Sequence, residues 1–132
     1  MIAGGGIGGF AAALALAQKG IESVVIERED ELREAGAGIQ LGPNGFRMFD
    51  TLGLTEAIRA NAVFPDALVM KDALDATEVT RVPLNTPEFN KRFEYPYGVI
   101  YRPDIHNTFI DAAKATGKVE VRLGVQVETY ED

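Results

Sequence analysis

Apolar positions along the chain change period several times, and each change predicts an element. Ile2 and Ala3 form a short extended start that runs into Gly4, Gly5, Gly6, Ile7, Gly8 and Gly9, after which Phe10, Leu14 and Ala17 recur at helical spacing. The predicted order is strand, tight turn, helix. Lys19 suits the negative end of the helix dipole and Gly20 can adopt the left-handed cap conformation, so the helix ends near Gln18. Val24, Val25 and Ile26 are a continuous β-branched run. They predict a parallel strand buried on both faces and closing at Glu27 and Arg28, which completes one βαβ unit of the α/β, Rossmann-like class.

Beyond it, residues 29–42 are first charged and then glycine-rich; the run Glu34, Ala35, Gly36, Ala37, Gly38 suits a tight bend or a close backbone approach. Pro43 opens a short helix on which Phe46, Phe49 and Leu52 share a face, and a second helix begins around Leu54 and Thr55. Pro65 closes that region. From Ala67 the period becomes that of strands, with Leu68 to Met70 and Val79 to Val82 flanking a turn-prone segment from Asp72 to Thr77. A hairpin or meander therefore replaces the βα alternation. Leu84 to Tyr97, with prolines at 87 and 96, reads as irregular. Gly98 to Tyr101 is a further strand; a helix starting at Pro103 carries Ile105, Phe109 and Ala113 and stops at Gly117, and Val119, Val121 and Leu123 alternate as a last strand.

Composition narrows the chemistry. The 132 residues hold no cysteine and a single histidine, which removes disulfides, thiol nucleophiles, thiolate metal sites and histidine-rich metal centres. With 13 basic against 20 acidic residues the net charge is -7, which disfavours a general nucleic-acid or anionic-membrane surface but leaves room for a local anion site. No apolar run is long enough to span a membrane, and the first three residues make no secretion signal, so a cytoplasmic setting is expected. Ser23, the only serine, lacks a nucleophile elbow, and Asp66, Asp72 and Asp75 are explained by a solvated turn rather than calcium binding.

The strongest chemical signal is the spacing of Gly4, Gly6 and Gly9 after a strand and at a helix start, with an acid at Glu27 after the next strand. Gly4 permits the turn, Gly6 lets the backbone approach a pyrophosphate, and Gly9 allows close packing of helix on strand. The amides from Gly6 through Ile7 and Gly8 then face the anion at the positive end of the helix. Glu27 can accept hydrogen bonds from an adenosine ribose, which favours FAD or NAD over NADP; the residues alone do not choose between the first two.

Further motifs carry a resemblance. Besides the glycine turn with Glu27 and Arg28, the chain has Gly36 to Asn44, the step Leu52, Gly53, Leu54, and the run Tyr101, Arg102, Pro103, Asp104, Ile105, His106. Across nearly its whole length it resembles the N-terminal part of the class A flavoprotein monooxygenases, the FAD-dependent aromatic-ring hydroxylases, and looks most like their salicylate and 3-hydroxybenzoate 6-hydroxylase branch. The resemblance implies bound FAD, NADH or NADPH as electron donor, molecular oxygen, and a small aromatic substrate of the hydroxybenzoate or salicylate kind. It also implies a flavin-side role for Gly36 to Asn44 and an FAD ribose or pyrophosphate contact for Arg102, which a guanidinium at a strand-to-helix junction can make. An ion pair with Asp104 is the other reading of Arg102. Gln40 is either a flavin or ribose contact or an exposed loop residue. Arg47 is expected in solvent, and His106 as structural or solvent-facing, because the dipole disfavours an imidazolium in a first turn.

Family members continue for several hundred residues, so the chain is expected to be a partial FAD-binding domain over residues 1–132, with 65–100 the first strands of a mixed or antiparallel substrate-domain sheet inserted into it. No catalytic residue is assigned. Exposed strand edges are expected to favour a homo-oligomer, and the isolated chain is expected to have no turnover. An NAD-binding oxidoreductase module and a non-catalytic dinucleotide-sensing module are the alternatives.

Overall fold

The computed structural model describes residues 1–33 and 36–129. Its elements are β1 (Ile2–Ala3), α1 (Ile7–Gln18), β2 (Ser23–Ile26), β3 (Gly38–Leu41), α2 (Pro43–Thr51), α3 (Thr55–Asn61), β4 (Ala62–Val63), β5 (Ala67–Lys71), β6 (Glu78–Pro83), α4 (Pro87–Phe93), β7 (Gly98–Tyr101), α5 (Arg102–Ala115) and β8 (Val119–Arg122). The chain divides into two compact units, Met1–Ala37 with Tyr101–Asp132, and Gly38–Ile100.

The first unit is a Rossmann-like layer of helices on a parallel sheet of order β1-β2-β8. Ile2 pairs with Val25 and Ser23 with Val119, so α1 is the crossover between two parallel strands. Helical spacing brings Phe10, Ala13, Leu14 and Ala17 to one buried face of α1, and Ile105, Phe109, Ile110 and Ala113 to that of α5. The two helices pack on each other and on the sheet. Phe10 and Phe109 are wholly buried, and each contributes roughly 1.5–3 kcal/mol by leaving water. Gly20 and Gly117, at φ +81 and +67, end the two helices in left-handed turns.

Two expectations for this unit change. The second strand begins at Ser23 rather than after it, and it alternates: Ser23 and Val25 are buried while Val24 and Ile26 are half-buried, so its faces are unequally covered. The last strand ends at Arg122, leaving Leu123 outside it and 40% exposed.

In the second unit α2 buries Phe46 and Phe49 and α3 buries Ile58. The Phe46 ring meets Phe49 edge-on at 6.0 Å and Phe64 at 5.7 Å. A Cβ on Gly98 would come within 3.0 Å of Phe46, so a glycine there makes room for the ring. The strands form two sheets, one of order β3-β7-β4 with β4 and β7 antiparallel, the other the antiparallel hairpin β5-β6.

Two elements here correct the sequence reading. Residues 38–41, expected in a loop, form β3, whose alternating burial follows from Ile39 and Leu41 on one side and Gln40 on the other. Within the stretch expected to be irregular lies α4. Its signals are local: Thr86 Oγ1 accepts from the Phe89 N–H at 3.1 Å, Pro87 opens the first turn, Glu88 lies in that turn, and Lys91 and Arg92 lie in the last. The cap is easily passed over because the helix is short and sits between Pro83 and Pro96. Of the bend at 34–38, Glu34 and Ala35 lie outside the described residues.

Candidate functional site

Hydrogen bonds from β2, from Glu27 just after it and from α5 shape the turn between β1 and α1. Gly4 sits at φ +104, a conformation that glycine adopts without strain, and its N–H donates to the Ile26 carbonyl at 2.8 Å. Gly5 is buried, and both of its backbone groups are held: its N–H donates to Glu27 Oε2 at 2.6 Å, and its carbonyl accepts from His106 Nε2 at 2.6 Å. A Cβ on Gly5 would fall 2.8 Å from Leu32 and 3.0 Å from Glu27 Cβ. Sequence spacing had passed over Gly5, since it occupies a variable position of the motif.

Gly6 is the N-cap of α1 in extended conformation, and no side chain caps the helix. Ile7 is its first residue, and its first turn carries no acid. The opening amides of a helix have no intrahelical acceptor, so this end carries a partial positive charge that no acid of its own first turn offsets. A Cβ on Gly8 would meet no atom within 4 Å, so the surface there is open. A Cβ on Gly9, by contrast, would run into the Gly4 carbonyl oxygen and lie 3.5 Å from Ile2 Cγ2. Helix and strand approach this closely because Gly9 has no side chain.

Glu27 follows β2 and is half-buried. Besides Gly5, its carboxylate accepts from the Glu29 N–H at 3.1 Å through Oε1. The Gly5 amide first, and then the Glu29 amide, hold its pKa below the usual carboxylate value, so the group is an anion and an acceptor at neutral pH. Ala3, Gly4, Ile26, Glu27, Arg28 and the segment from Val125 to Val127 line a recess of about 360 Å³ at the ends of β1 and β2. Arg28 is exposed and pairs with Glu29 at 3.1 Å, a contact worth at most about 1 kcal/mol in solvent.

Thus the structure brings Gly4, Gly6, Ile7, Gly8, Gly9, Glu27 and Arg28 together. Arg102, exposed, opens α5 in the same unit; its N–H donates to the Ala37 carbonyl at 2.9 Å. Gln40 is exposed on β3 and belongs to the other unit, as does the exposed Arg47. His106 is only 2% exposed, which settles its expected placement in favour of the interior. Its ring meets Phe10 edge-on at 5.8 Å.

A family model described as FAD binding domain matches residues 1–132. The chain belongs to that family. The 3-hydroxybenzoate 6-hydroxylase of Polaromonas naphthalenivorans (strain CJ2) is 51% identical to it over 120 residues, covering 91% of this chain and 30% of that protein. The 3-hydroxybenzoate 6-hydroxylase 1 of Aquipseudomonas alcaligenes is 46% identical over 132 residues, covering 100% of this chain and 33% of that protein. Among solved structures, the tetrameric form of 2-methyl-3-hydroxypyridine-5-carboxylic acid oxygenase superposes with a TM-score of 0.79 at 29% identity over 92% of this chain and 30% of that one. The chain therefore spans about a third of the length of these relatives. Membership in the FAD-binding family decides between the two dinucleotides that the glycine spacing left open.

Proposed function

We propose that the chain is the FAD-binding portion of an NADH- or NADPH-dependent monooxygenase that hydroxylates a small aromatic ring of the hydroxybenzoate or salicylate class. The turn from Gly4 to Gly9, with Glu27 at the end of the neighbouring strand, is the observation that carries this reading. FAD fits the residues present: a pyrophosphate calls for amide donors and positive potential, which the uncapped start of α1 supplies, and a ribose calls for an acceptor, which the Glu27 anion supplies.

In this reading the amides of Gly6, Ile7 and Gly8 bind the pyrophosphate, Gly4 and Gly9 shape the turn, and Arg28 flanks the recess beside Glu27. Arg102 supplies a guanidinium for a phosphate or ribose oxygen, and Gln40 is a polar contact on the flavin side. Residues 65–100 are the first strands of a substrate-binding domain inserted in the FAD-binding domain; the antiparallel hairpin β5-β6, unlike the parallel β1-β2-β8, supports that division. Bound FAD would accept a hydride from the nicotinamide and activate molecular oxygen. The part of this chain is to bind and orient it. In this reading the protein works in the cytoplasm, and the exposed strands of the hairpin support self-association.

Titration of the purified chain with FAD and, separately, with NAD tests the assignment. FAD is expected to bind with a change in flavin absorption and fluorescence, NAD is expected to bind far more weakly, and no hydroxylated product is expected from the chain alone. Preferential binding of NAD would contradict the assignment, and NADH oxidation coupled to hydroxylation would overturn the claim of inactivity.

A further inference from the structure

We propose that His106 is a positioning residue that fixes which way the Gly5–Gly6 peptide faces, and so aims the Gly6 N–H at the FAD pyrophosphate. The inference rests on the FAD-binding reading. It starts from a contact between residues 101 positions apart: His106 Nε2 lies 2.6 Å from the Gly5 carbonyl oxygen. A carbonyl only accepts, so Nε2 is the donor, and it can donate from the neutral Nε2–H tautomer or from the imidazolium. The ring is 2% exposed, packed edge-on against Phe10, and carried by a helix that also buries Ile105, Phe109 and Ile110. It is a fixed donor.

Geometry links that donor to the ligand side. The described residues include no cis peptide, and in a trans peptide the carbonyl of one residue and the N–H of the next lie in one plane and point in opposite directions. With the Gly5 carbonyl drawn toward α5, the Gly6 N–H must face away from α5. Gly6 is also the N-cap of α1, where an anion meets the opening amides of the helix.

The peptide needs such a hold because a glycine flanks it on each side. Neither residue has a Cβ to penalise rotation of the plane, so local sterics do not select one orientation. The opposite orientation would present a carbonyl oxygen, rather than an N–H, to the phosphates. Glu27 holds the preceding peptide through the Gly5 N–H, and His106 holds this one through the Gly5 carbonyl. Together they determine the direction of successive peptides in the turn.

Two substitutions separate this role from mere packing. His106→Met fills the space without a donor, and His106→Gln retains one at similar reach. FAD affinity by flavin fluorescence, the Gly6 amide signal of the ligand-free chain by NMR, and thermal melting are measured for both and for the unaltered chain. Loss of one net hydrogen bond predicts about tenfold weaker FAD binding for His106→Met, with Gln holding within about threefold of the unaltered chain. The Gly6 signal is expected to move in the Met variant and return toward its original position with Gln. Equal affinity and an unmoved Gly6 signal in the Met variant would overturn the proposal, as would a Gln variant as weak as Met. Should His106→Met fail to fold, His106→Leu takes its place, and loss of FAD binding in a folded Gln variant still counts against the proposal. Failure of the unaltered chain to bind FAD would contradict the proposed function and the ligand half of this inference, while the Gly6 signal would still decide whether His106 sets the peptide.

Discussion

Two turns in this molecule are fixed in opposite ways. Residues close in sequence hold the one between β5 and β6: Asp72 Oδ1 accepts from the Leu74 N–H at 2.7 Å, Asp75 Oδ1 accepts from the Thr77 N–H and Oγ1 at 2.9 and 2.7 Å, and the Asp72 N–H donates to the Thr77 carbonyl at 2.8 Å. Partners far along the chain hold the glycine turn between β1 and α1, at Ile26, Glu27 and His106. The surroundings differ as sharply. Every residue of β6 is exposed, and Leu74 at the hairpin tip is 97% exposed, whereas Gly5 is buried beside a helix pair whose phenylalanines are fully covered. A self-contained turn survives changes elsewhere in the fold. A turn held from a distance presents its amides correctly only while the surrounding packing is intact, and that suits a site whose donors must be set before the ligand arrives.

The comparison can be broken most forcefully at Phe109, which is wholly buried on α5. Phe109→Ala is expected to cost about 3–5 kcal/mol in chemical denaturation and to loosen the glycine turn while leaving the β5-β6 pairing in place, as read by amide exchange. Gly9→Ala comes next. Its methyl group must displace the Gly4 carbonyl, and a loss of about 1–3 kcal/mol together with weaker FAD binding is expected by denaturation and flavin titration.

A pH series sharpens the contrast. The folded Glu27 carboxyl titrates below its ordinary value of 4.5, chiefly through the Gly5 amide. Its stabilising contribution is therefore complete above about 4.5, declines as pH falls toward the lower folded value, and is absent below it. Glu27→Gln should remove this part of the acid sensitivity, as followed by the Gly5 amide signal between neutral pH and pH about 3. At the small end, Leu74→Ser is expected to change stability by no more than about 0.5 kcal/mol in the same denaturation assay, because the side chain touches little besides water.

The same division explains what could be read in the sequence. Helical spacing marked Phe10, Leu14 and Ala17, a glycine past each helix end marked the stops at Gly20 and Gly117, and the acid-rich hairpin turn announced itself through its own residues. Those signals lie within a few positions. Resemblance supplied the family, while the glycine spacing placed the turn. The contact between Gly5 and His106 is not legible in the sequence because it depends on how α5 packs against α1, which no local pattern encodes. The helix α4 is hidden differently: its cap and charges are all local, but it is only seven residues long and lies in a proline-containing stretch that reads as irregular. The alternation of β3 is four residues long and flanked by Gly36 and Gly42, too short to stand out from a loop.

The most direct measurement is an NMR titration of the labelled chain with FAD, following every assigned backbone amide. Shifts concentrated at Gly4 to Gly9, Glu27 and Arg28, with the Asp72 to Thr77 turn unmoved, are the predicted result. Shifts that spare the glycine turn, or that appear first in the hairpin, would contradict the assignment of this turn as the FAD site.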